Sequence, residues 1–312
     1  MSKKTSYLLG ILLTIILGTI LYYFLCCSVC CGKETCEHKK TETKSAVVPE
    51  IEEATKNAFT ISDADGDFNL KLSDNFNFKS SAYSILNPVS VDVENGVLKL
   101  KDYLLGNPLK TVDITGFYKN DETNNSAYPN LGLARSNAVK NYLVLHGVPS
   151  KQIDTFGKLN DGLKPDENST LFGPLKFSIL TTNESTNAAT LEDLEKGCQA
   201  LRNDPLILHF KTGEAAILLT SEQRKKLAII SHCVDKLGVK VQVVGHTDNT
   251  GNAPNNVVLG KQRADFAKGY LIENGILEGN IETSSKGPYE PIANNATEEG
   301  RAENRRTVIT IN

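Results

Sequence analysis

The sequence contains no tryptophan, a single methionine and only 7% aromatic residues. A cleft that holds polysaccharide against rows of aromatic rings needs more such side chains, so we do not expect one here. Excess basic charge is also missing, because 34 Lys and Arg face 37 Asp and Glu, for a formal net charge of −3. This balance gives no reason to expect a nucleic-acid partner.

The sequence motifs of common enzymes are absent as well. No Gly-x-Ser-x-Gly, Walker or His-Glu-x-x-His pattern occurs. The five histidines show no spacing typical of metal ligands: His38, His146, His209, His232 and His246. We therefore expect a protein without catalytic activity, bound metal or cofactor, and we interpret His246 as a side chain that packs or hydrogen-bonds within its turn.

A long uncharged apolar run stands near the N-terminus. Residues 7–25 read YLLGILLTIILGTILYYFL. As a helix this run spans roughly 28 Å, close to the ~30 Å thickness of the hydrocarbon layer. Lys3 and Lys4 precede it and favour a cytoplasmic N-terminus. We expect one transmembrane anchor, with the rest of the chain across the membrane.

Two alternatives to an uncleaved anchor stay open. A cleaved signal peptide has a shorter apolar region and ends at a small-residue site, and neither feature is present. A lipoprotein would carry an acyl chain on a cysteine after the run. Against that, Leu25 precedes Cys26 where bacterial lipoprotein signals need a small residue.

The seven cysteines are unevenly distributed. Five lie close behind the apolar run: Cys26, Cys27, Cys30, Cys31 and Cys36. Disulfides, acylation or packing at the membrane edge would each account for them, and the sequence does not rank these options. Cys198 and Cys233 are far apart in sequence, and they form either a disulfide or two buried thiols.

The remaining chain repeats itself. Residues 131–153 read LGLARSNAVKNYLVLHGVPSKQI, and residues 259–281 read LGKQRADFAKGYLIENGILEGNI. The Leu, Gly, Arg, Lys, Tyr, Leu, Gly and Ile residues match in place. With 312 residues, 40% of them apolar and 23% charged, the chain has the length and composition of two ordinary globular domains. We therefore infer two copies of one module.

Each copy reads as strand, helix, strand, helix, strand. In the second copy these are residues 206–211, a helix capped by Thr220 or Ser221, 239–245, about 256–273, and 306–311. This order predicts an α/β two-layer sandwich. The expected organisation is a cytoplasmic N-terminus at 1–6, a transmembrane helix at 7–25, a Cys-rich membrane-proximal segment and linker at 26–60, a first copy at 61–182, a linker helix at 183–204 and a second copy at 205–312.

A candidate site follows the second buried strand of copy two. Asp248 lies just past the end of that strand, and Asn255 or Asn256 would cap the next helix. Arg263 lies two turns further, on the same helix face as Asn256. A carboxylate beside a guanidinium suits a ligand with both charges, because Asp248 can accept an ammonium and Arg263 can hold a carboxylate. Alternatively, Asp248 and Arg263 only pair with each other.

These residues belong to three separated blocks: GHTDNTG at 245–251, RA at 263–264 and EGRAENRR at 299–306. Together they closely resemble the OmpA-like peptidoglycan-binding domain. The resemblance implies that Asp248 holds the ammonium of diaminopimelate in the stem peptide of the wall and that Arg263 holds its carboxylate. It gives supporting roles to Thr250, Asn256 and Arg305.

Two positions depart from the family pattern. Gly260 stands where the family commonly has Ser, and Lys211 stands where an Asp is common. Copy one departs further, because Lys119 takes the place of Asp248. Arg135 remains in copy one, and we expect it to lack a carboxylate partner. The resemblance therefore implies a degenerate first copy that has lost diaminopimelate binding.

The sequence as a whole predicts a non-catalytic tether between a membrane and peptidoglycan in a Gram-negative-type envelope, with the two copies in the periplasm. A stator or transport component of MotB type is one alternative, but residues 7–25 carry no ionisable group to pass protons. An outer-membrane lipoprotein tether is another. The oligomeric state and the ligand of copy one stay open.

Overall fold

The computed structural model describes residue 17 and residues 53–66, 68–182, 184–209 and 218–312, with only the backbone for 184–190. The expected transmembrane helix at 7–25, apart from Leu17, and the cysteines at 26–36 lie outside these ranges. Among the helices within them, none has the length and apolarity that a bilayer crossing requires.

The first module is built around one long central strand. Its elements are β1 (Thr60–Ser62), β2 (Asn69–Lys71), β3 (Phe78–Lys79), α1 (Val91–Gly106), β4 (Lys110–Tyr118), α2 (Leu131–Leu145), β5 (Ile153–Leu159), β6 (Thr170–Leu171) and β7 (Leu175–Thr181). Strand β4 pairs parallel with β5 and antiparallel with β7. The short strands β1 with β2, and β3 with β6, form two separate antiparallel pairs.

The second module repeats this arrangement with a fourth strand. Its elements are α3 (Glu184–Asn203), β8 (Leu206–His209), α4 (Ser221–Leu237), β9 (Val241–His246), α5 (Ala253–Glu273), β10 (Ile281–Gly287), α6 (Glu298–Asn304) and β11 (Arg306–Ile311). The strand order is β10-β9-β11-β8, with β9 parallel to β10 and the other pairs antiparallel.

The expected five-element order was incomplete, because it missed β10 and α6. Strand β10 lies at the sheet edge and reads IETSSKG, with burial only at its two ends. Such a polar edge strand carries no alternating apolar signal. Helix α6 has only seven residues, too few to show helical periodicity.

A close glycine contact recurs in both modules. A Cβ atom on Gly116 would lie 2.0 Å from the carbonyl oxygen of Gly132, and one on Gly245 would lie 1.8 Å from that of Gly260. Each helix therefore packs directly on its central strand, which side chains at these positions would prevent. Gly260, which stands where the family commonly has Ser, is therefore explained by helix–strand packing.

The structure places the start of α5 earlier than expected. Its N-cap is Asn252, whose side chain accepts a hydrogen bond from the backbone N–H of Asn255, so the predicted caps Asn255 and Asn256 were wrong. Pro254 lies in the first turn, where a missing N–H costs no helical hydrogen bond. For α4, the cap is Thr220, one of the two expected residues, in a reciprocal capping box with Gln223.

Two apolar cores lie within residues 53–312, one in each module. Phe59 is fully buried in the first core, so the first module begins before residue 61. Cys198 and Leu201 of α3 are buried in the second core. The helix expected to be a linker is therefore part of the second module. A disulfide joins Cys198 to Cys233 of α4, with 6.0 Å between their Cα atoms.

This disulfide gives a first prediction. Because it closes a loop of 35 residues, Cys198→Ser should lower the free energy of unfolding by roughly 3–4 kcal/mol, measured by denaturant unfolding. Cys233→Ser should cost the same, and the double variant no more. If the two losses add instead, and a non-reducing peptide map shows no linked peptide, the cysteines are separate thiols.

Candidate functional site

The candidate site begins at the turn after β9. The backbone N–H of Thr247 bonds to the carbonyl of Gly287 on the neighbouring strand β10. Asp248 then folds the chain back, because its Oδ1 accepts a hydrogen bond of 2.9 Å from the N–H of Thr250. The Nδ2 of Asn256 donates to the carbonyls of Asp248 and Thr250, at 3.3 and 3.0 Å. Asn256 therefore supports the turn from α5.

Asp248 forms an ion pair with Arg305, which follows α6. The Nη1 of Arg305 lies 2.9 Å from Oδ2 of Asp248. Burial by itself would raise the pKa of Asp248, but hydrogen bonds from Arg305 and the Thr250 backbone outweigh burial and hold the pKa below its usual range. The carboxylate is therefore ionised at neutral pH.

Glu298, which the sequence analysis did not single out, holds Arg305 from the other side. Its Oε1 lies 2.8 Å from Nη2 of Arg305, and its Oε2 accepts a hydrogen bond of 2.9 Å from Nε of Arg301. Glu298 is the first residue of α6. The only signal for it in the sequence was its place one residue after Thr297, a typical N-cap.

Arg263 lines the same cleft from α5 without pairing to Asp248. Its Nη1 is buried and has no hydrogen-bond partner among the described residues. Burial lowers the pKa of Arg263, nearby Arg305 lowers it further, and Asp248 opposes both. The alternative in which Asp248 and Arg263 only neutralise each other is not observed in the described part of the chain.

Together these side chains surround an open cleft of about 480 Å³. We call it the binding cleft; its lining residues are Thr247, Asp248, Thr250, Asn256, Leu259, Arg263, Glu298, Arg301 and Arg305. All five predicted site residues lie in it. Asp248, Arg305, Glu298 and Arg301 form a row of alternating charges, and Arg263 is left as an unpaired cation within the described ranges. Lys211 lies outside the described residues. No cluster of His, Cys, Asp or Glu in those residues could hold a metal ion.

Comparison with known proteins places this fold in one family. The OmpA family profile matches residues 76–170 and 209–305, more than half of the chain. The chain belongs to the OmpA family. The two matched ranges correspond to the two modules, so the expected tandem OmpA-like α/β fold is confirmed.

Relatives of this OmpA-family chain share only parts of it. Peptidoglycan-binding protein ArfA of Mycobacterium tuberculosis (strain ATCC 25618 / H37Rv) is 35% identical over 124 residues, covering 38% of this chain and 36% of that protein. Probable lipoprotein YiaD of Escherichia coli (strain K12) is 46% identical over 71 residues, covering 23% and 32%. The chain thus spans about a third of the length of these relatives. The crystal structure of the peptidoglycan-associated lipoprotein from Burkholderia pseudomallei matches at 22% identity and a TM-score of 0.29, over 34% of this chain and 89% of that one.

The first OmpA-like module closes the corresponding site. Arg135, the counterpart of Arg263, is fully buried and pairs through both guanidinium nitrogens with Glu122, at 2.5 and 3.0 Å. The expectation that Arg135 lacks a carboxylate partner was therefore wrong. Glu122 comes from the turn after β4, and it also accepts a hydrogen bond of 2.9 Å from the N–H of Lys119.

His246, at the end of β9, lies beside the cleft and not among its lining residues. It is buried, and its Nδ1 has no hydrogen-bond partner among the described residues. Burial, with a contribution from Arg306, lowers the pKa of His246 to about 4. The imidazole is therefore neutral at pH 7, which is consistent with a packing role.

A second prediction follows from this lowered pKa. The unfolded chain binds the His246 proton near the ordinary value of 6.5, and the folded chain only near 4. The contribution of neutral His246 to the free energy of unfolding is thus fully present above pH 6.5 and is lost as the pH falls towards 4. His246→Gln should flatten the decline of melting temperature across this window. An unchanged slope would mean that His246 titrates normally in the folded protein.

Proposed function

We propose that this chain is a non-catalytic binder of peptidoglycan and that the binding cleft of the second module takes the diaminopimelate residue of the stem peptide. In this proposal the ammonium group of diaminopimelate binds Asp248, and its carboxylate binds Arg263. Thr250, Asn256 and Arg305 hold Asp248 in place. Residues 7–25 anchor the chain in a membrane and leave both modules in the periplasm.

The unpaired guanidinium of Arg263 carries this proposal. Arg263 is half-buried, and a buried donor without a partner, here its Nη1, is costly; a ligand carboxylate would supply the missing hydrogen bonds. The first module offers a comparison within the same chain, because there the carboxylate of Glu122 occupies both terminal nitrogens of Arg135. The equivalent arginine of the second module faces an open cleft instead.

The ammonium half of the ligand matches the other wall of the cleft. Asp248 is ionised, and each of its oxygens accepts one hydrogen bond, from Thr250 and from Arg305. A carboxylate oxygen has two lone pairs, so both keep room for an ammonium donor. Glu298 pairs with both Arg305 and Arg301, so the charges along this wall balance and the open lone pairs of Asp248 are what an ammonium group would meet.

The relatives support the same class of ligand. The mycobacterial relative is named as a peptidoglycan-binding protein, and the family match covers both modules. A single site of this kind binds weakly, since each charge-assisted hydrogen bond contributes only about 1.5–3 kcal/mol. Many equivalent stem peptides along one polymer would then provide the hold by repeated engagement.

A third prediction tests the two charged residues separately. Asp248→Ala and Arg263→Ala should each weaken binding of the full-length chain to purified peptidoglycan sacculi by about 10- to 150-fold, measured by pull-down. Lys119→Ala, at the position of Asp248 in the first module, is the matched control and should bind like the unchanged chain. Wild-type binding by both cleft variants would refute the site.

The ligand assignment has its own test. A stem peptide with lysine in place of diaminopimelate keeps the side-chain ammonium and lacks the carboxylate. Arg263→Ala should therefore weaken binding of the diaminopimelate peptide and leave binding of the lysine peptide unchanged, measured by calorimetry. Equal losses for both peptides would show that Arg263 does not read this carboxylate.

A fourth prediction concerns Glu298. In Glu298→Gln, Arg305 keeps Asp248 as its anionic partner and loses Glu298, so the ammonium-binding wall becomes less negative. Because the side chain of Glu298 is largely exposed, we expect a loss of only about 2- to 5-fold in affinity for the diaminopimelate peptide. Glu299→Gln, one residue further along α6, is the control. Equal affinities for the two variants would remove Glu298 from the site.

A further inference from the structure

The turn of the first module that corresponds to the binding turn of the second lies against the second module. Arg224 of α4 reaches into this turn, and its Nη1 donates to the carbonyl of Ser126 and lies 3.4 Å from the carbonyls of Asn124 and Tyr128. Because three carbonyls converge on one nitrogen, residues 124–128 curve around the guanidinium.

Two further contacts fix the same segment. The N–H of Ala127 donates to Oδ1 of Asn274, at the C-terminal end of α5, over 2.7 Å. Ala127 is fully buried and belongs to the apolar core of the second module. The hydroxyl of Tyr128 lies 3.2 Å from Oγ of Ser231 on α4. The second module therefore contacts the backbone, an apolar side chain and a hydroxyl group of this turn, while Asn124 and Ser126 form further hydrogen bonds within the turn.

A buried ion pair extends the contact. Lys140 of α2 is almost fully buried, and its Nζ lies 2.5 Å from Oδ2 of Asp235 on α4. Burial lowers the pKa of Lys140, and the carboxylate of Asp235 opposes that effect. Removing one partner of such a pair leaves a buried charge alone, which is strongly destabilising. The pair therefore fixes how α2 packs on α4, and deletion of either partner would weaken this contact.

The contact lies at the opposite end of the second module from its cleft. Helix α5 starts beside the cleft and ends at Asn274. At about 1.5 Å per residue, its 21 residues separate the two ends by roughly 30 Å. The turn at one end of the first module therefore lies against the end of α5 that is remote from the cleft. The other end of the first module contacts α4 through Ser150, Lys151 and Asp154. Of the two corresponding sites in the described residues, that of the second module is left open.

We propose that the first module is a rigid support for the second. Its turn that corresponds to the binding turn holds the second module at the end remote from the cleft. Its own arginine is closed off by Glu122, and its turn is committed to Arg224 and Asn274. The first module does not bind wall peptide, and the two modules unfold as one cooperative body. This role rests on intramolecular contacts and stands whether or not the cleft binds diaminopimelate.

Arg224→Ala tests this supporting contact directly in the full-length chain. Loss of three carbonyl contacts should raise the hydrogen-exchange rate of the Ala127 amide on the order of 10- to 100-fold. Calorimetry should show one unfolding transition in the unchanged chain and two in the variant. Lys225→Ala, the exposed neighbour, is the matched control and should change neither. Tyr128→Phe removes only the bond to Ser231 and should give a smaller rise in the same exchange rate.

The opposite results would overturn the proposal. If Arg224→Ala and Tyr128→Phe leave exchange at Ala127 unchanged, or if the unchanged chain unfolds in two separate steps, the modules are not held as one body. A second experiment tests whether the first module has lost the ability to bind wall peptide. Lys119→Asp restores a carboxylate in the first module, and combined with Asp248→Ala it should not restore binding to sacculi. Recovered binding would show that the first module still presents a usable site.

Discussion

The binding cleft depends on one ion pair, in which Arg305 and not Arg263 neutralises Asp248. Arg305 can do so because it directly follows α6, which ends beside the turn. Glu298, the first residue of α6, partly offsets the charge of Arg305 from the other side. If Arg263 paired with Asp248 instead, neither charged group would be left for a ligand. The separation of these two arginines is therefore what leaves a positive group facing solvent-filled space.

The first module shows the closed outcome on the same fold. Its arginine, Arg135, is enclosed by Glu122 and by the carbonyls of Ala82 and Phe117. Loss of Glu122 would leave a buried charge unpaired, so the closed state is fixed by the high cost of opening it. Whether such an arginine becomes a site depends on where the nearest carboxylate enters. In the first module it comes from the turn itself, within reach of the guanidinium.

The sequence predicted the parts of the site that follow from local pattern. Asp248 and Arg263 could be found because a buried strand, a polar turn and a helix bring them to the same end of the sheet. Arg305 was named only through the family resemblance, because it approaches from a distant segment. Glu298 and Glu122 were not named, since Glu298 lies in that same distant segment and Glu122 lies in a turn without a regular pattern. Strand β10 escaped notice for a related reason, because an edge strand with one exposed face needs few apolar residues.

The closed site of the first module and its contact with the second module involve the same turn. Between its strand glycine and its helix glycine, Gly116 and Gly132, the first turn is one residue longer than the second, between Gly245 and Gly260. Within this turn, Ala127 lies in the neighbouring core, and its amide and the flanking carbonyls have partners there. A turn fixed in this way cannot also rearrange around a ligand. In the two proposals made above, the same end of the fold binds a ligand in one copy and supports the neighbouring module in the other.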